Sequence, residues 1–107
     1  MQRAWVFLAI AGVLEVVWAI GLKSSDGFRR PYVSAFTVLV MIASFYFLAQ
    51  ALKSLPVGTA YAIWTGIGAV GTAVIGIFVF GESRDIGRLV SIVLIVAGIV
   101  GLKLASD

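Results

Sequence analysis

Four long apolar runs, separated by short polar breaks, constrain this chain more than any other feature. They cover about residues 4–22, 32–52, 57–80 and 86–105, and each holds 19 to 24 residues. At about 1.5 Å per residue, a helix of that length crosses the ~30 Å hydrocarbon layer of a bilayer. The pattern predicts an all-α membrane protein with four transmembrane helices in a single domain over residues 1–107. Composition agrees, since 62% of the residues are hydrophobic and 12% are charged, against about 25% charged in a soluble domain. The breaks carry turn chemistry. Lys23-Ser24-Ser25-Asp26-Gly27 closes the first run, Pro31 suits a helical first turn, Leu55-Pro56 opens the third, and Gly81-Glu82-Ser83-Arg84-Asp85 precedes the fourth. A cleaved signal peptide is the rival for the first run. Glu15 in mid-run and the lack of a small-residue cleavage site before a soluble segment both argue against it.

Short breaks make successive helices antiparallel neighbours, with both termini on one side of the membrane. Lys and Arg then divide as Arg3, Lys53 and Lys103 on one side against Lys23, Arg29, Arg30, Arg84 and Arg88 on the other. Three against five is a weak orientation signal, compatible with one fixed topology or with insertion both ways. Four helices of this size barely enclose a path, so a transport function calls for an oligomer, and closed dimers are the commonest kind. The chain has no cysteine and no histidine, which removes disulfides, Cys/His metal sites and His-based acid–base catalysis. No metal or cofactor is called for. No acid/base pair or activated nucleophile points to an enzyme, and no basic face points to nucleic acid, despite a net charge of +3.

Glu15 is the one charged residue between Arg3 and Lys23. An ionised carboxylate in hydrocarbon is costly, and intramembrane acids mark ion or proton pathways. Such a group takes up a proton or a cation readily, and the two compete for it. Trp18 follows at i+3 on the same face, and its indole N–H could donate to the carboxylate, while Gly12 at i−3 keeps that face small. The alternative for Trp18 is an interfacial belt, although it lies five residues short of Lys23. Ser44 is the deepest hydroxyl of the second run and serves either as a site residue or in helix packing. Tyr61 and Trp64 are at i and i+3 in the third run, with Gly68 continuing their face. Polar-tipped aromatics beside small residues suit a cation pocket, the other reading being packing and an aromatic belt. Gly66, Gly68, Gly71 and Gly76 make this run easy to bend and to approach closely. In the fourth run Gly87, Ser91, Leu94, Gly98, Gly101 and Ala105 form one stripe of mostly small residues. Ser91, Leu94, Gly98 and Gly101 are read as a dimer contact, against packing within the subunit.

Several blocks, in order, give the chain a family likeness. They are Glu15 within Ala11–Lys23, Gly27-Phe28, Ala43-Ser44-Phe45, Leu48-Ala49-Gln50, and the long block from Leu55 through Pro56, Tyr61, Trp64 and Gly68. With these it resembles the small multidrug resistance family. Trp18 three residues after Glu15, and Gly101-Leu102-Lys103 near the end, are similar to the guanidinium-exporting subtype rather than to the multidrug subtype, which tends to carry a small residue at the Trp18 position. The resemblance implies an antiparallel, dual-topology homodimer in the inner membrane. Two copies of Glu15 would share one site and exchange protons for guanidinium or small substituted guanidinium ions by alternating access. Trp18 and Ser44 would orient the Glu15 pair, and Tyr61 and Trp64 would complete the wall, Tyr61 as a hydrogen-bond partner or gate. Ser91 departs from the glycine common at that position among relatives. The alternatives are an exporter of quaternary ammonium and aromatic cations, a channel, and a non-transporting membrane subunit.

Overall fold

The structure, a computed structural model, describes residues 2–106. They form four helices: α1 (Gln2–Ser24), α2 (Pro31–Leu52), α3 (Val57–Val79) and α4 (Ile86–Ser106). All four are long and apolar enough to cross a membrane, and the chain is a multi-pass membrane protein. Pro31 starts α2 where its missing N–H costs nothing, and Pro56 sits just before α3. Asp85 accepts the backbone N–H of Arg88 at 3.0 Å and so satisfies one of the open donors of α4's first turn. That bond holds the exposed Asp85 carboxyl below the usual carboxylate range.

The turn between α1 and α2 is built on Ser25, which is fully buried. Its hydroxyl donates to the Leu22 carbonyl at 2.7 Å and accepts the Phe28 N–H at 3.2 Å. Asp26, Gly27 and Phe28 all have positive φ there, so the chain reverses through three left-handed residues, two of which carry a Cβ.

α1 is the hub of the fold. It packs along both α2 and α3, which themselves meet only briefly, whereas the backbone of α4 approaches α3 alone. The periodicity explains this. Ala4, Leu8 and Ala11 are buried on α1, and Thr37, Ser44 and Ala51 are buried on α2 at intervals of seven. These are the two sides of one helix–helix seam. Continued along α1, the same three-and-four spacing reaches Glu15 and Trp18. α3 runs beside α1 through its glycines. Gly68 lies under the Glu15 side chain and Gly71 under Val16, while Ile67 fills the space at Gly12. The glycine-rich α3 is continuous over its length. Its glycines admit neighbours rather than interrupt the helix.

The tight core lies toward one end of the bundle, formed by Ala4, Leu8, Ala11, Ala51, Leu55, Ala60, Ile63 and Trp64. Beyond Glu15 the packing opens into an apolar cavity of about 390 Å³ among α1, α2 and α3, lined by residues including Val17, Ile20, Val33, Phe36 and Ile75. The Cα trace is 17 Å thick in its narrowest direction, no more than two helices deep at a spacing of about 8–10 Å.

α4 has no buried residue. Ile99 rests on Gly66 of α3, and Ile99 and Leu102 reach the core. Gly98 and Gly101 face open space, Leu94 is 65% exposed, and the Ser91 hydroxyl turns back onto the Gly87 carbonyl at 2.8 Å. The small-residue stripe therefore points away from the subunit's own core. Because α4 leans on α3 through Gly66, Gly66→Leu is expected to destabilise the monomer by about 1–3 kcal/mol through overpacking. Chemical unfolding in detergent checks this, and an unchanged midpoint would show that Gly66 does not carry the contact.

Candidate functional site

Three helices are tied together one turn from Glu15. Ser44 of α2 donates its hydroxyl to the Ala11 carbonyl of α1 at 2.7 Å. Trp64 of α3 directs its indole N–H at the same carbonyl (3.2 Å) and at Ser44 Oγ (3.1 Å). In a regular helix that carbonyl also accepts the N–H of residue 15. The Glu15 backbone thus belongs to the turn that both side chains brace. Ala11 and Ser44 are fully buried and Trp64 nearly so. Ser44 does not bond back within its own helix, because the seam places it level with Ala11.

An aromatic chain runs from this knot. Trp18 and Phe45 pack edge-to-face with centroids 6.2 Å apart, Phe45 meets Trp64 at 5.7 Å, and Trp64 meets Tyr61 at 5.5 Å. Trp18, Ser44, Tyr61 and Trp64 are therefore linked in space, with Phe45 as the bridge. In the sequence Phe45 counts only as part of the Ala43-Ser44-Phe45 block, because one more phenylalanine in an apolar run signals no role of its own. The Ala11 carbonyl could not be seen at all, being backbone.

The Glu15 carboxyl lies against Gly68, so closely that a Cβ there would overlap it. Glycine at 68 is what lets an acid occupy the α1–α3 seam. Glu15 Oε1 is buried without a hydrogen-bond partner among the described residues, as is Trp18 Nε1. The hydrogen bond from Trp18 to Glu15 that the spacing suggested is absent, and Trp18 is turned onto Phe45 instead. Nor does Ser44 or Tyr61 bond to Glu15. Ser44 is engaged by Ala11 and Trp64, and Tyr61 is 56% exposed beyond Trp64. Thr72, one turn beyond Gly68 on α3, is a further buried hydroxyl without a partner among the described residues. It was not singled out in the sequence. Gly12 is buried against Ile67, beside the site rather than under the carboxyl. Among the described residues no cluster of His, Cys, Asp or Glu could hold a metal ion.

The sequence that builds this site matches a known family. A family model described as Small Multidrug Resistance protein matches residues 3–95. The chain belongs to the small multidrug resistance family. Among its relatives, a guanidinium exporter of Yersinia pseudotuberculosis serotype I (strain IP32953) is 62% identical over 103 residues, which are 96% of this chain and 99% of the relative. Guanidinium exporters of Proteus vulgaris and Escherichia coli (strain K12) are each 60% identical over 103 residues. Those residues are 96% of this chain in both cases, and 99% and 98% of the respective relatives. The small multidrug resistance match takes in Glu15, Trp18, Ser44, Tyr61, Trp64 and Gly68, and stops short of Gly98 and Gly101.

For this small multidrug resistance protein, Ser44→Ala is expected to cost about 0.6–1.7 kcal/mol, from the average to the upper end for interhelical hydrogen bonds in membranes. Its effect should be non-additive with Trp64→Phe, because the two side chains share bonds. Unfolding of the two single variants and the double variant gives the coupling, and strict additivity would mean the two bonds act separately.

Proposed function

We propose that the protein is a proton-coupled antiporter that exports guanidinium and small substituted guanidinium ions, working as an antiparallel, dual-topology homodimer in the inner membrane. The observation that carries this is the Glu15 carboxyl, seated on Gly68 at mid-span with a buried oxygen that no described residue satisfies. A buried polar atom without a partner calls for a ligand or a second subunit. Guanidinium supplies what is missing: a planar, permanently charged group made only of donors, which carboxylates receive in a fork. The names of the relatives at 60–62% identity point to the same cation.

The mechanism follows from competition. A Glu15 carboxylate shielded from water is stable when it holds either a proton or a cation. Two copies facing each other would clamp the planar ion between two acids and release it when protons replace it. Trp18 narrows the site from the side, and its N–H can turn toward the carboxylate when a ligand draws Glu15 off Gly68. The knot at Ala11, Ser44 and Trp64 holds the Glu15 turn in place through the cycle. One subunit is too thin to surround a path, which favours two. The outward stripe of Ser91, Leu94, Gly98 and Gly101 offers a close-approach surface for the partner. The packed end and the open end of the bundle favour access from one side at a time.

Three outcomes are expected. Glu15→Gln keeps the shape but removes the charge, and should abolish guanidinium-driven proton movement in proteoliposomes while the protein still folds; retained flux would place coupling elsewhere. Cation affinity should rise with pH, by up to about tenfold per pH unit for each proton displaced while the acid is protonated. Affinity that is flat between about pH 6 and pH 9 would contradict a shared carboxylate. With Trp18 in place guanidinium should outcompete a bulky aromatic cation, and Trp18→Gly should reverse that preference. Transport of the bulky cation with no response to guanidinium would favour a multidrug exporter.

A further inference from the structure

Where α1 begins and α2 ends, a cavity of about 570 Å³ opens between them. Arg3, Ala4 and Phe7 line it from α1, Gln50 from α2, and Lys53 and Ser54 from the turn that follows. The lining is divided. Two cations, an amide and a hydroxyl form a rim over Ala4 and Phe7, and Phe7 is backed by Phe47 at 5.9 Å. Among the described residues no acidic side chain lines the cavity, and neither Arg3 nor Lys53 forms an ion pair. The described acids lie elsewhere: Glu15 at mid-span, and Asp26, Glu82 and Asp85 in the turns at the other end. Lys103, also at this end, is positioned differently, over the Trp5 ring at 4.6 Å.

Two cations facing one cavity with no counter-charge among the described residues repel each other, and an anion relieves that repulsion. Arg3 and Lys53 flank the ends of membrane-spanning helices, the depth at which lipid headgroups lie. We propose that this cavity binds the phosphate head of an anionic phospholipid. Arg3 offers its planar fork and Lys53 a point charge to the phosphodiester oxygens. Gln50 and Ser54 are placed to hydrogen-bond the glycerol portion, and Phe7 meets the start of an acyl chain. A zwitterionic lipid would bring its own cation beside Arg3 and Lys53 and is disfavoured. Inorganic phosphate shares the oxygen chemistry but leaves the apolar floor unused. The site is separate from Glu15 and does not depend on which cation is carried.

Native mass spectrometry of the full chain, purified in detergent and mixed with phosphatidylglycerol or phosphatidylcholine, tests this. Wild-type protein should retain phosphatidylglycerol preferentially. Arg3→Gln with Lys53→Gln should weaken that retention about thirtyfold, from about fivefold per basic side chain near an anionic surface. Arg29→Gln with Arg30→Gln, at the other end, should leave it unchanged. Arg3→Lys with Lys53→Arg should retain the lipid, so the preference stays testable if the neutral variant fails to fold. Equal retention of the two lipids by wild type would overturn the proposal, as would undiminished phosphatidylglycerol binding in the neutral variant. Displacement by millimolar inorganic phosphate would overturn the lipid and assign the cavity to the free anion.

Discussion

The Ala11 carbonyl, with Ser44 and Trp64 both aimed at it, is the contact on which the rest of this structure depends. In hydrocarbon there is little hydrophobic force to bring helices together, so close packing and interhelical hydrogen bonds decide where they meet. Here one oxygen collects donors from two other helices, and Ser44 is satisfied as both donor and acceptor. The result is a rigid node shared by α1, α2 and α3. α4 takes no part in it, which is consistent with a helix whose exposed face serves another purpose.

The node divides the bundle. On the side of the termini small and branched side chains close the seam, with Ala4, Leu8, Ala51, Leu55 and Ala60 all buried. On the other side Val17, Ile20 and Phe36 border open apolar space. Glu15 stands at the boundary, one turn past the knot. A group placed there can be held still from behind while the space before it changes shape. Cation–π contacts add ties at both ends. Lys103 lies over Trp5, and Lys23 lies 5.3 Å from the Phe80 ring centroid.

Much of this was legible from residue type and spacing. The four spans follow from run length, and helix starts at Pro31 and just after Pro56 follow from proline's fixed φ and missing N–H. Glu15 was legible because a lone acid in hydrocarbon is costly. The detailed bonding was not. Spacing put Trp18 on the face of Glu15, but it could not reveal that the indole would pack edge-to-face with Phe45. Ser44 was recognised as a deep hydroxyl, but its acceptor is a backbone atom on another helix. Ser25 was hidden for a similar reason: its role depends on left-handed backbone at Asp26 and Phe28, which no pattern of apolar residues announces.

The polar atoms left without partners bear directly on the proposed function. Among the described residues Glu15 Oε1, Trp18 Nε1 and Thr72 Oγ1 are buried without partners, as are Ser34 Oγ and Arg88 Nε, while Ser44 and Trp64 are fully engaged. If the site existed only to pack helices, the same low-dielectric surroundings that reward the Ser44 bonds would penalise the others. The asymmetry makes physical sense when the two sets have different tasks. One set is satisfied permanently and fixes the scaffold. Under the proposed function, the other stays short of partners for a donor-rich cation, a proton or a second copy of the chain. Gly68 keeps that arrangement available, because only a residue without a Cβ leaves room for the Glu15 carboxyl in the seam.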